Sequence, residues 1–166
     1  AFGPGIKAGG PNYVAQLMKF DACWVTTRYV THGKNSEVGQ GDLFELATAL
    51  VADGSEGGEA EREEARMIAR AIESYQRAAA DEFLQTHDHF HLVGQDNLRR
   101  YVPMPVLVIR VSEHDSWSEI VLRVAAAKAV ACRAIVSAPE GVHSGFLKRL
   151  HDMTESWAAD IEFVEQ

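Results

Sequence analysis

The sequence predicts an α/β fold: a small parallel βαβαβ sheet, half of a doubly wound unit, preceded by a helical segment and an extended arm. Residues 106–111, apolar apart from Arg110, form a run rich in β-branched side chains, as a strand buried on both faces would. Ser116 and Glu119 then make a capping box that opens a helix with Ile120, Val121, Val124 and Ala125 inward. Residues 134–137 read as a second short buried strand, 146–157 as a second helix and 161–164 as a third strand. Strands alternating with helices over short links define a right-handed parallel unit.

Upstream, the first eleven residues are dominated by Gly and Pro and are read as loop. Residues 13–20 suit two helical turns, and residues 24–30 alternate as a strand does. Neither has an evident partner nearby in sequence, so residues 13–30 are expected to be an arm that packs on something else. A polar, Gly-containing loop over 32–41 separates it from the rest. Asp42 is expected to cap a short helix through Leu50, ended by the Gly-rich stretch at 53–58. The next helix opens on Glu59, Glu61, Glu63 and Glu64, which suit the positive end of a helix dipole. Ile68, Ile72, Tyr75 and Ala79 form its apolar stripe.

The chain has 166 residues and a net charge of −8, a field that repels phosphate backbones and disfavours nucleic-acid binding. No apolar run approaches 18 residues, so no membrane span is expected. There is no initiator Met and no signal-peptide pattern at the start, which fits either processing or a beginning inside a longer gene. Cys23 and Cys132 lie far apart among apolar residues, a usage that fits a reducing cytoplasm.

Several residue groups invite a chemical role. Gly3, Gly5, Gly9 and Gly10 resemble a phosphate cradle, but no strand precedes them and their spacing is wrong. His87, His89 and His91 would share one face of an extended segment, yet a zinc site needs further ligands, and no metal is expected. Arg99 and Arg100 are read as ion-pair residues beside the acidic helix rather than as a carboxylate clamp. Ligands of open parallel sheets bind beyond the carboxyl ends of the strands. That singles out the turn with Arg110, Ser112 and Glu113, and the turn from Ala138 to Gly145. In the second turn Gly141 and Gly145 weakly echo a nucleotide loop, and Glu140 puts a negative charge where a pyrophosphate would sit. Neither cysteine has a clear activating base; Arg133 beside Cys132 is the one basic neighbour.

The segment FGPGIKAGGPNY, residues 2–13, resembles the end of the aldehyde dehydrogenase domain of 1-pyrroline-5-carboxylate dehydrogenases, especially those of the bifunctional proline utilisation A type. Residues 13–30 are similar to that domain's closing helix and oligomerisation strand. Residues 92–101 and 106–137 are similar to the extra C-terminal domain of longer members. The resemblance implies a dehydrogenase tail with its interface arm over 1–41, then a helical segment plus an aldehyde-dehydrogenase-like, half-Rossmann C-terminal domain over 42–166. It implies oligomer contacts through Tyr13, Leu17, Trp24 and Tyr29, and the rest of the dehydrogenase polypeptide as partner. It implies NAD for the parent enzyme but none bound by this portion, because the family's catalytic Cys, general base and nucleotide turn all lie upstream. Arg110, Ser112 and Glu113 are similar to a turn that holds the adenosine ribose, with Val111 in place of its Pro, and are expected to be a relic of it.

Overall fold

The computed structural model describes residues 41–88, 93–94 and 96–165, all of them within one compact unit, Asn35–Gln166. The expected arm, with Tyr13, Leu17, Trp24 and Tyr29, lies outside the described residues, as do Cys23, His89, His91 and the Gly-rich start.

Two helices come first, α1 (Asp42–Ser55) and α2 (Glu59–Ala78). The N-cap of α1 is Gly41, with φ 99°, and Asp42 lies in the first turn; a capping role for Asp42 is therefore corrected. The helix also outlasts its expected end at Leu50 and runs into the Gly-rich stretch. The reason is packing between the two helices. A Cβ on Gly54 would lie 2.6 Å from the Cβ of Ala65 on α2, so glycine lets the backbones meet there. Leu43, Leu46 and Leu50 on α1 are buried together with Ile68 and Ile72 on α2 in one core. The α2 stripe is as expected, with Ala79 buried and Tyr75 packed against the core.

Helix α2 ends in a π-turn, Ala79–Phe83, followed by an antiparallel hairpin of β1 (Thr86–Asp88) and β2 (Leu98–Arg100). The hairpin has no counterpart in the sequence reading, because its strands are three residues long and largely polar. Glu82 of the π-turn fastens it. Its carboxylate accepts from Arg99 at 2.7 Å and from the Tyr101 hydroxyl at 3.2 Å, and lies 3.3 Å from His87 Nε2. The Arg99 guanidinium is the chief cause that holds the Glu82 carboxyl below its ordinary pKa.

Mixed α/β architecture follows: β3 (Val106–Arg110), α3 (Trp117–Ala129), β4 (Arg133–Ala138), α4 (Ser144–Met153) and β5 (Ile161–Glu165). The three strands form a parallel sheet in the order β3-β4-β5, with Ile109 level with Val136 and Val136 level with Phe163. One face carries Ile109, Ala134, Val136 and Ala138, all buried. On the other face Val106 is 40% and Val108 59% exposed, so the expectation of a β3 buried on both faces is corrected. As the outer strand of a narrow sheet, β3 has one covered face among the described elements.

Helix α3 buries Trp117, Ile120, Val121, Val124, Ala125 and Ala127, an arc of roughly 160° at 100° per residue. So wide an arc lets it contact α1 and α2 as well as β3 and β4. Helix α4 stops four residues short of Trp157. Thr154 is buried at the break, its hydroxyl donating to the Leu150 carbonyl, and a 3-10 turn over Glu155–Asp160 leads into β5. Lys128, at the end of α3, reaches Asp42 and Asp160 at 2.6 Å each and lies over the Trp157 ring. Burial opposes its charge, but the bonds it donates to Asp160 and Asp42 outweigh that and raise its pKa.

Gly54→Ala in an ordinary helix interior would stabilise by about 1 kcal/mol. Here the clash with Ala65 is expected to reverse the sign and cost about 1–3 kcal/mol. Urea unfolding of the single variant and of Gly54→Ala with Ala65→Gly checks this; the second change should recover most of the loss.

Candidate functional site at the carboxyl end of the parallel sheet

The two turns singled out from the sequence lie side by side beyond the carboxyl ends of β3 and β4. The Val111 amide donates to the Ser137 carbonyl at 2.8 Å, extending the β3–β4 ladder to the mouth of the first turn. Arg110, Ser112 and Glu113 are all exposed there. Ser112 is engaged through hydroxyl and backbone alike, its Oγ accepting from the His114 amide at 3.3 Å. Its amide donates to Asp115 Oδ2 at 2.7 Å, and its carbonyl lies 3.0 Å from His143 Nε2. Glu113 faces His114 at 3.6 Å, with both side chains well exposed.

His143 comes from the second turn and has φ 50°, a left-handed conformation uncommon for a residue other than glycine. Its ring stacks on Phe146 with centroids 5.1 Å apart. Phe146 in turn meets Trp117, over which the Arg149 guanidinium lies at 4.5 Å. The His143 bond to Ser112 therefore ties one turn to the other across the crevice a ligand would enter.

The amino end of α3 is already occupied by the chain's own groups. Ser116 Oγ accepts from the Glu119 amide at 3.3 Å, and Glu119 Oε2 accepts from the Ser116 amide at 2.8 Å, completing the expected capping box. Asp115 Oδ1 accepts from Arg123 at 2.8 Å. The Arg123 guanidinium, then the Ser112 amide, hold the Asp115 carboxyl below its ordinary pKa. The Ser116 amide and hydroxyl do the same for Glu119. A phosphate brought within about 5 Å of either carboxylate would meet roughly 3 kcal/mol of repulsion per unit charge at an effective dielectric near 20. The arrangement suits a closed, self-bonded turn far better than an anion cradle.

Glu140 is exposed in the second turn, and the carboxylates at the helix end are Asp115 and Glu119 instead. Asp115 and Arg123 were not singled out from the sequence, and His143 was marked only as part of the second turn. Asp115 had a local signal, three residues after Ser112, whereas His143 meets Ser112 across 31 positions and had none. Cys132 is buried, its thiol 3.9 Å from the Val130 carbonyl, and its neighbour Arg133 bonds Glu162 at 2.6 Å rather than the sulfur. Of the three histidines, only His87 is described, and it sits on Glu82. Arg99 pairs with Glu82, as the ion-pair reading of that residue requires. Among the described residues no group of three or more His, Cys, Asp or Glu is placed to hold a metal ion, and no helix is long and apolar enough to cross a membrane.

A second cavity of about 360 Å³ lies under the α1–α2 turn, lined by Asp53, Glu61, Glu64, Trp117 and Arg149. Arg149 bonds Asp53 across it, so a neutralised guanidinium and an indole close one wall. No family model, no curated protein and no solved structure matches the chain.

The Asp115 and Glu119 carboxyls have lower pKa values folded than unfolded. Their stabilisation is full above the unfolded values, about 4, and is lost as pH falls through the folded ones. Asp115→Asn is therefore expected to lower the urea midpoint at pH 7, and the gap from the parent chain should shrink steadily below about pH 4. Circular-dichroism unfolding across that range measures it; a gap independent of pH would assign the loss to packing.

Proposed function

We propose that the chain is the C-terminal part of an NAD-dependent 1-pyrroline-5-carboxylate dehydrogenase of the proline utilisation A type, acting in proline catabolism in the cytoplasm. The parent enzyme oxidises glutamate semialdehyde to glutamate, with NAD accepting the hydride when bound upstream. In this reading the present portion holds no catalytic residue. Residues 13–30, through Tyr13, Leu17, Trp24 and Tyr29, supply contacts to the dehydrogenase body or to another subunit. The parallel sheet is half of a nucleotide-binding fold retained as a lid or scaffold.

The observation that carries the reading is the combination of a parallel three-stranded sheet with a turn closed by its own side chains. The helix end that would greet a pyrophosphate holds Asp115 and Glu119, and the neighbouring crevice is bridged by His143. Arg110, Ser112 and Glu113 then stand as the remnant of a ribose-binding turn. The resemblance of residues 2–13 and 92–137 supplies the family. A stand-alone nucleotide-binding or interaction domain is the alternative, and the two carboxylates argue against its nucleotide form.

Titration of NAD into the purified chain by calorimetry is expected to give no binding heat. Glutamate semialdehyde and NAD mixed with it are expected to yield no NADH. Micromolar NAD binding would favour the nucleotide-binding alternative. In the gene, the reading frame is expected to run upstream of Ala1 into a segment holding a nucleophilic Cys. A frame that opens at Ala1 would sink the proposal.

A further inference from the structure

Helix α4 and the sheet enclose a groove of about 340 Å³, beside the carboxyl half of β5. It falls within the range of roughly 300–1,000 Å³ usual for small-molecule sites, at the end of an open parallel sheet where ligands bind. None of the groups that close the α3 turn lines it. Three kinds of chemistry meet there. Val136, Leu147 and Phe163 make an apolar floor, and the His151 ring stands edge-on to Phe163 with centroids 5.3 Å apart. Lys148 supplies a cation, and Ser144, one helical turn before it on the same face of α4, supplies a hydroxyl. Glu165 supplies a carboxylate from the strand opposite. Among the described residues, Lys148 and Glu165 close no ion pair, with each other or elsewhere, and the Ser144 hydroxyl makes no hydrogen bond.

From this juxtaposition we infer that the groove binds a zwitterionic α-amino acid with an apolar side chain. The ligand carboxylate bonds Lys148 and the Ser144 hydroxyl, its ammonium meets Glu165, and its side chain lies on Leu147 and Phe163. Both signs of charge on one small ligand then answer both signs in one groove. A fatty acid would bring its carboxylate to Glu165 unrelieved, and an alkylamine would bring its ammonium to Lys148, so each meets a like charge that the zwitterion neutralises. Lys148 and Glu165 are exposed, so each contact contributes little alone, and binding needs both ends and the floor together.

Calorimetric titration of L-leucine into the full 166-residue chain is expected to give a Kd of about 0.1–1 mM. Isocaproic acid, which lacks the ammonium, and isopentylamine, which lacks the carboxylate, should each bind at least about threefold more weakly. Lys148→Gln and Glu165→Gln change exposed side chains and should leave the circular-dichroism spectrum unaltered. Each is expected to weaken leucine about three- to tenfold. Glu165→Gln should also narrow the gap between leucine and the acid, and Lys148→Gln the gap between leucine and the amine. No saturable heat from leucine up to about 10 mM overturns the inference. So does leucine binding that is indifferent to both substitutions, or an acid or amine that binds as tightly as leucine. The proposed function stands or falls separately, on NAD binding and on the reading frame before Ala1.

Discussion

The fold depends on the burial of α3 from more than one side. Ile120, Val121, Val124 and Ala125 are fully buried, and the helix contacts the α1–α2 pair as well as β3 and β4. At about 1.5–3 kcal/mol for each fully buried aliphatic side chain, this helix is a leading source of cohesion. Its ends are secured by charge. Glu119 and Ser116 close the first turn, and Lys128 at the last turn draws the start of α1 and the approach to β5 onto one ammonium.

That dependence bears on chemistry. In a phosphate-binding βαβ unit, the amides at the start of the first helix are left for the ligand. Here the Ser116 and Glu119 amides are consumed in fastening the helix on which the core rests. Asp115 extends the arrangement by taking the Ser112 amide and the Arg123 guanidinium together. His143 then takes the Ser112 carbonyl, so both backbone groups of one residue are engaged. A stable α3 and an open anion site compete for the Ser116 and Glu119 amides, and here the capping box takes both.

Legibility in the sequence followed the range of the forces involved. The β3-α3-β4-α4-β5 order was readable because apolar runs, a capping box and short links are local signals. The α2 stripe was readable because a helix repeats its face every three or four residues. The hairpin was not: Thr86–Asp88 and Leu98–Arg100 are too short and polar to alternate, and Glu82 fixes them through Arg99 and Tyr101 across 17 and 19 positions. The end of α1 was misplaced because Gly54 looks like a helix breaker until Ala65 is seen against it. At the site, the turn positions of Arg110, Ser112 and Glu113 could be read from strand ends. The groups that close the site could not, apart from the capping pair.

By itself, then, the sequence determined the alternation of strands and helices, the cap of α3 and the acidic character of the molecule. These are properties of neighbours within a few positions, where backbone geometry and side-chain period leave few choices. Tertiary structure alone decided that β3 is covered on one face, that Arg133 serves Glu162 instead of Cys132, and that His143 bridges the two turns. Among the described residues it also left β5 paired on one side, to β4. Each of these depends on contacts between residues distant in the chain, whose free energies are set by packing and desolvation that no local pattern records.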